Sequence, residues 1–247
     1  MSGGGYDEAI VLGSDAIASA LELDPGRALP SCPGWDVAEL AAHLGSLYER
    51  VGAQVRSRSI GALRVFDPPS SPVGPARVGW LREASRGLIE AFAGTEEDAV
   101  AGRWRDRTVT AGFWRRRMAH ETVVHRVDVE DALGRAVGLE GDLAADGVGE
   151  ALELFVPFSM RKDQWPPAGP LGLVRSDGSE EWWVAPGDDR VDVHRRQPGD
   201  LQPGDFARVE APGAELFLIC WGRRRPAGPA VTGSAVLLDQ WVSLFGW

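Results

Sequence analysis

The chain has 247 residues, 44% hydrophobic and 25% charged, enough for one large soluble domain or two modest ones. A formal net charge of −10 argues against nucleic acid or a membrane surface as the main partner, and no apolar run approaches the ~20 residues of a membrane span. Two cysteines, Cys32 and Cys220, are too few for a disulfide scaffold, and the first residues lack the basic and apolar regions of a signal peptide, so a cytoplasmic protein is expected.

In chain order, apolar residues at helical spacing (Ile10, Ile17, Leu21) predict a first helix over Tyr6 to Leu23, ending before Pro25. The proline-rich stretch from Asp24 to Pro33 reads as a loop. Asp36 is a natural N-cap, and Glu39 three residues on completes a capping-box-like pattern. The second helix should therefore run from Val37 to about Arg56. Trp35 and Leu40 fit a hydrophobic staple, and His43 shares the apolar stripe of Leu40 and Leu47. The connection Ser57 to Pro75 is long and rich in Pro, Ser and Gly, which suits a crossover or pocket wall.

A third helix is expected from Ala76 to about Ala93, closed by Gly94, and a short extended piece within Ala101 to Val109. No proline or glycine interrupts Phe113 to Leu133, which reads as the fourth helix, ending at Gly134. A further helix is expected from Asp142 to about Arg161, kinked or cut short by Pro157. Beyond the break at Gln164 to Pro170 the period moves toward two. Leu171 to Arg175, Glu181 to Val184, Arg190 to His194 and Phe206 to Glu210 read as strands. Pro212 to Gly222 and Gly233 to Phe245 read as helices. The fold class is thus a helical bundle over residues 1–165 followed by a small mixed α/β domain over 166–247.

The fourth helix carries the chemistry. Glu121 and His125 stand at i and i+4 on one face, and Asp128 continues the stripe one turn on. Such groups on a mostly apolar helix are costly to bury unless something binds them, and carboxylate oxygen with imidazole nitrogen suits a divalent metal such as zinc. The chain has four histidines. His43 from one bundle helix with the Glu121/His125 pair from another can give three ligands and leave a position open. His120 points about 100° away from Glu121, outside that set, and His194 falls on a strand of the other domain.

The run Cys32-Pro33-Gly34-Trp35-Asp36-Val37 with Leu40 and His43-Leu44, followed by Arg117-Met118-Ala119-His120-Glu121 with His125-Arg126, Asp128 and Gly134, resembles the mycothiol-dependent maleylpyruvate isomerase family. The match spans about the first 160 residues. It is looser beyond, through Val209-Glu210-Ala211, Trp221-Gly222-Arg223 and Val231-Thr232-Gly233. The resemblance implies a DinB-like four-helix bundle joined to a sterol-carrier-like α/β domain. It implies that His43, Glu121 and His125 bind one divalent metal, usually zinc (Zn2+), that Asp128 lies in the active site, and that Arg223 faces it from the carboxyl domain. Mycothiol would be the thiol cosubstrate, a small electrophile the substrate, and an actinobacterial host would agree with the arginine-rich, high-GC composition. Asp128 would accept the thiol proton or anchor the cofactor, and Arg223 would pair a substrate carboxylate. Cys32 is read as structural. Thiol addition, bond rotation and elimination would give cis–trans isomerisation, stopping at addition or displacement a mycothiol S-transferase, and a lost metal site a binding or regulatory module.

Overall fold

The computed structural model describes residues 3–58, 71–105, 107–136, 138–159, 167–187, 191–195, 201–202 and 204–245. The chain divides into two compact units, Met1–Val137 and Gly138–Trp247. The first holds four long helices, α1 (Gly3–Leu23), α2 (Val37–Ser57), α3 (Ala76–Ala93) and α4 (Ala111–Ala132), with a hairpin of β1 (Val100–Trp104) and β2 (Arg107–Thr110) between α3 and α4. Helix α1 packs on α3 and α4, and α2 packs on α3 and α4. This is the expected four-helix bundle. Its core joins Ile10 and Ile17 of α1, Leu40, Leu44 and Val51 of α2, Leu81 and Leu88 of α3, and Trp114 and Met118 of α4. Burying each such side chain contributes roughly 1.5–3 kcal/mol before the entropy of ordering is subtracted.

Local chemistry sets the helix ends. The capping box at α2 forms as the sequence suggests: Asp36 Oδ1 accepts from the Glu39 N–H at 2.8 Å, and Glu39 Oε2 accepts from the Asp36 N–H at 2.9 Å. Thr110 caps α4 through the Phe113 N–H. At the far end of α4, Gly134 takes φ +69, so its N–H reaches Asp131 O while the Arg135 N–H reaches Glu130 O. That pair of bonds is the Schellman closure, and the αL turn it needs explains the glycine.

The second unit is built on a five-stranded sheet of order β5-β4-β3-β6-β7. Its strands are β3 (Leu171–Arg175), β4 (Glu181–Pro186), β5 (Val191–His194), β6 (Ala207–Ala211) and β7 (Val231–Gly233). Only β3 and β6 are parallel, and the other described pairings are antiparallel. Leu171, Gly172 and Leu173 are buried in succession, as a strand covered on both faces requires. Helices α7 (Gly213–Cys220) and α8 (Ala235–Val242) pack on β3 and β6. A buried Arg175 ties the unit together, meeting Asp142 at 3.0 Å, Asp177 at 2.9 Å and Glu180 at 3.0 Å.

Two expectations change. The helix over Asp142 to Arg161 is broken into α5 (Gly141–Glu150), a π-helical turn (Ala151–Phe155) and α6 (Val156–Ser159). Pro157 has no N–H to give, and its ring crowds the carbonyl four residues back, so the widened turn sits where an α-helical ladder would fail. This stretch, read with the bundle, groups with the second unit: α5 packs on α7, and Trp221 Nε1 donates to Gly147 O at 3.3 Å. The apolar residues Leu143, Val148 and Leu152 of this stretch are buried. Strand β7 is not among the expected elements. Of the Ser57 to Pro75 connection, residues 59–70 lie outside those described, as do Gln164 to Pro166 of the expected break. No helix among the described residues is long and apolar enough to cross a membrane.

Candidate metal centre

The loop between α1 and α2 positions half of the site. Backbone bonds from Leu29 N–H to Trp35 O, Cys32 N–H to Leu29 O and Trp35 N–H to Cys32 O fold residues 29–35 tightly, and Gly34 makes the turn at φ +86. Ala28 and Asp36 pair across its neck. The result presents Ser31, Cys32 and Trp35 toward α4, just before α2 delivers His43.

Three side chains converge. His43 Nε2 lies 3.2 Å from Glu121 Oε1, and His125 Nε2 lies 3.3 Å from the same oxygen. One donor atom from each falls within 4.8 Å of the other two. A tetrahedral ion with bonds of about 2.0–2.1 Å separates its ligands by about 3.3–3.4 Å, so the spacing suits zinc as well as a shared proton. Two further atoms, Glu121 Oε2 and His125 Nδ1, are committed elsewhere. Glu121 Oε2 accepts from Arg117 Nη2 at 2.6 Å. Asp128, on α4, faces His125 Nδ1 at 2.9 Å, and because a carboxylate only accepts, Nδ1 carries the proton and Nε2 is left as the ligand atom. The donor set fits a divalent metal.

Exposure falls along the set. The His43 side chain is 27% exposed, Glu121 20%, His125 10% and Asp128 0%. A group arriving from solvent therefore meets the His43–Glu121 side. Asp128, which the sequence reading placed within reach of a bound thiol, has both oxygens occupied: Ser31 Oγ donates to Oδ1 at 2.6 Å, and Cys32 Sγ to Oδ2 at 3.3 Å. Cys32, His125 and Asp128 form a second group of potential ligands, of which Cys32 is half-buried and the other two are buried. Trp35 stands over both histidines, its ring 5.0 Å from that of His43 and 6.3 Å from that of His125, making an aromatic wall as well as a staple.

Electrostatics favour the charged forms of Glu121 and His125 in the absence of metal. Burial pushes the Glu121 carboxyl up, but the Arg117 guanidinium and hydrogen bonds from His125 and His43 outweigh it and keep it well below the ordinary carboxylate value. Burial pushes His125 down, yet its hydrogen bonds to Asp128, Cys32 and Glu121 raise it well above an ordinary imidazole. Behind Glu121, Thr122 gives its proton to Met118 O, so Tyr48 donates to Thr122 Oγ1 at 2.6 Å and ties α2 to α4.

His120 is buried on another face, edge-on to Tyr6, outside the cluster as expected. His194 ends β5 in the second unit. Arg223 follows α7 there, donating from Nη1 to Trp221 O at 2.6 Å. The sequence reading missed Ser31, and it did not place Arg117 in the site although Arg117 stands four residues before Glu121 on the same stripe.

Fold and site together define a class: a four-helix bundle with a histidine–carboxylate centre on α2 and α4, joined to a mixed α/β unit. Residues 9–130, most of the amino-terminal unit, match the family model of the mycothiol maleylpyruvate isomerase N-terminal domain. Two crystal structures share the fold, one of mycothiol-dependent maleylpyruvate isomerase and one of its histidine-to-alanine mutant. Each is 16% identical, with 95% of this chain and 93% of theirs covered, at TM-scores of 0.61 and 0.62. No curated protein matches the chain in sequence.

Proposed function

We propose that the chain is a metal-dependent enzyme that uses mycothiol to isomerise maleylpyruvate, or an electrophile of its kind, from cis to trans. One observation carries this reading: Glu121 Oε1 lies 3.2 and 3.3 Å from the Nε2 atoms of His43 and His125, with the three donor atoms within 4.8 Å of one another, inside a domain that matches the mycothiol maleylpyruvate isomerase family model. His43, Glu121 and His125 would hold zinc or another divalent ion. When bound, the ion supplies a Lewis acid that brings the pKa of a thiol toward neutrality. Asp128 keeps the Nδ1 proton on His125 and so acts through that ring, with Ser31 and Cys32 fixing the carboxylate in turn. Trp35 gives the site an apolar wall that sheds water.

The thiol sulfur adds to one carbon of the substrate double bond, and a proton goes to the other side of the conjugated system. Rotation about the resulting single bond and elimination then return the thiol and the trans product, with no net redox change. Arg223 is the cation offered for a substrate carboxylate, on the family resemblance. A cytoplasmic setting goes with a low-molecular-weight thiol cosubstrate.

The test is zinc-loaded protein with mycothiol and maleylpyruvate, products identified by mass spectrometry and NMR. Trans product that requires both metal and thiol supports the proposal. A stable adduct of thiol and substrate would assign a mycothiol S-transferase instead, and no turnover with any electrophile would leave a metal-binding or regulatory module.

A further inference from the structure

Among the described residues, Arg117 is the one arginine in direct contact with the three-donor set. Its side chain is 1% exposed, and Nη2 sits 2.6 Å from Glu121 Oε2, a short charge-assisted bond. It lies four residues before Glu121 on α4, so helix geometry itself holds the two in register. The oxygen it grips is the one turned away from His43 and His125.

A carboxylate can give a metal one oxygen or two. With Oε2 held, Glu121 has only Oε1 to give, and a fourth position stays open for a substrate or thiol. We propose that Arg117 is a positioning residue that makes Glu121 a one-oxygen ligand and thereby keeps that position free. The inference rests on metal binding by His43, Glu121 and His125. Metal affinity is a poor gauge of it, because removing Arg117 also removes a positive charge that repels the ion, and the two effects oppose. Coordination number separates them.

Cobalt(II) in place of zinc reads coordination number optically, since four-coordinate cobalt absorbs far more strongly in its ligand-field bands than five- or six-coordinate cobalt. The wild-type protein should give the strong four-coordinate spectrum. Arg117→Met should bind cobalt with bands severalfold weaker, as Glu121 swings to two-oxygen binding. Arg117→Lys, which keeps a donor near Oε2, should recover part of the intensity. An Arg117→Met spectrum identical to wild type would overturn the proposal.

If Arg117→Met does not fold, X-ray absorption of the wild-type zinc protein decides the same point. One carboxylate oxygen at about 2.0–2.2 Å is expected, and a second oxygen of Glu121 at bonding distance would refute the role. Failure of the underlying metal site looks different. The wild type itself would then take up no cobalt, or His125→Ala would take up as much as wild type.

Discussion

Replacing Asp128 with asparagine separates charge from shape at the back of the candidate metal centre. The new amide keeps the volume of the wild-type side chain, and its oxygen can still accept from His125 Nδ1, while the Ser31 hydroxyl can turn to accept from the amide N–H. The negative charge is lost. Partners of this kind behind a metal-bound histidine are worth about 10–100-fold in affinity, or ~1.4–2.7 kcal/mol, and the isosteric change should fall near the tenfold end. Asp128→Ala should reach the hundredfold end, because it also strands the buried Nδ1 donor of His125 at ~1–3 kcal/mol. The loss must depend on pH. In the metal-free protein the bond to Asp128 is the leading contribution that raises His125, so Asp128→Asn lowers that pKa and weakens the proton as a competitor for Nε2. Zinc titration against a competing chelator should therefore show the full deficit above the raised His125 pKa and a smaller one near pH 6. Equal affinities for wild type and Asp128→Ala at every pH would refute the placement of Asp128 behind His125.

The same charges make a second prediction for stability. His125 is raised above its ordinary 6.5, so in metal-free protein its contribution is complete below that value and is lost as pH climbs through the raised pKa. Glu121 is lowered from 4.5, so its contribution is complete above that value and fades as pH falls through the lowered pKa. Thermal melts of chelator-treated protein should fall on the alkaline side, melts of zinc-loaded protein should not, and a flat metal-free profile from pH 6 to 9 would contradict the assignment. His125→Ala should lose zinc on equilibrium dialysis, since two remaining ligands seldom hold the ion against water, and full occupancy would show the ligand set to be wrong. Arg223→Lys should raise KM for a carboxylate electrophile about tenfold with kcat little changed, and unaltered kinetics would remove Arg223 from substrate binding.

Legibility in the sequence followed the range of the interaction. The α2 capping box, the limits of α3 and the stripe of Glu121, His125 and Asp128 were readable because each depends on residues within two helical turns. His43 entered the site through an apolar face and a motif resemblance, and α2 does carry it to Glu121, 78 residues away. The contacts of Ser31 and Cys32 with Asp128 cross 97 and 96 residues, and no local pattern announces them. Arg117 was visible in the spacing but hidden among many arginines. The destination of the Gly141–Glu150 helix was not readable either. An amphipathic helix states that it must bury a face, not against which neighbour, and here the neighbour is α7.

The central claim is that a metal held by His43, Glu121 and His125 is what receives the thiol. Calorimetry of mycothiol binding, run in two buffers of different ionisation enthalpy, tests it most directly on zinc-loaded and zinc-stripped protein. The loaded protein should bind mycothiol with release of about one proton per thiol at neutral pH, and the stripped protein should show no such release. Equal binding to both forms, or binding to the loaded form with no proton released, would contradict it.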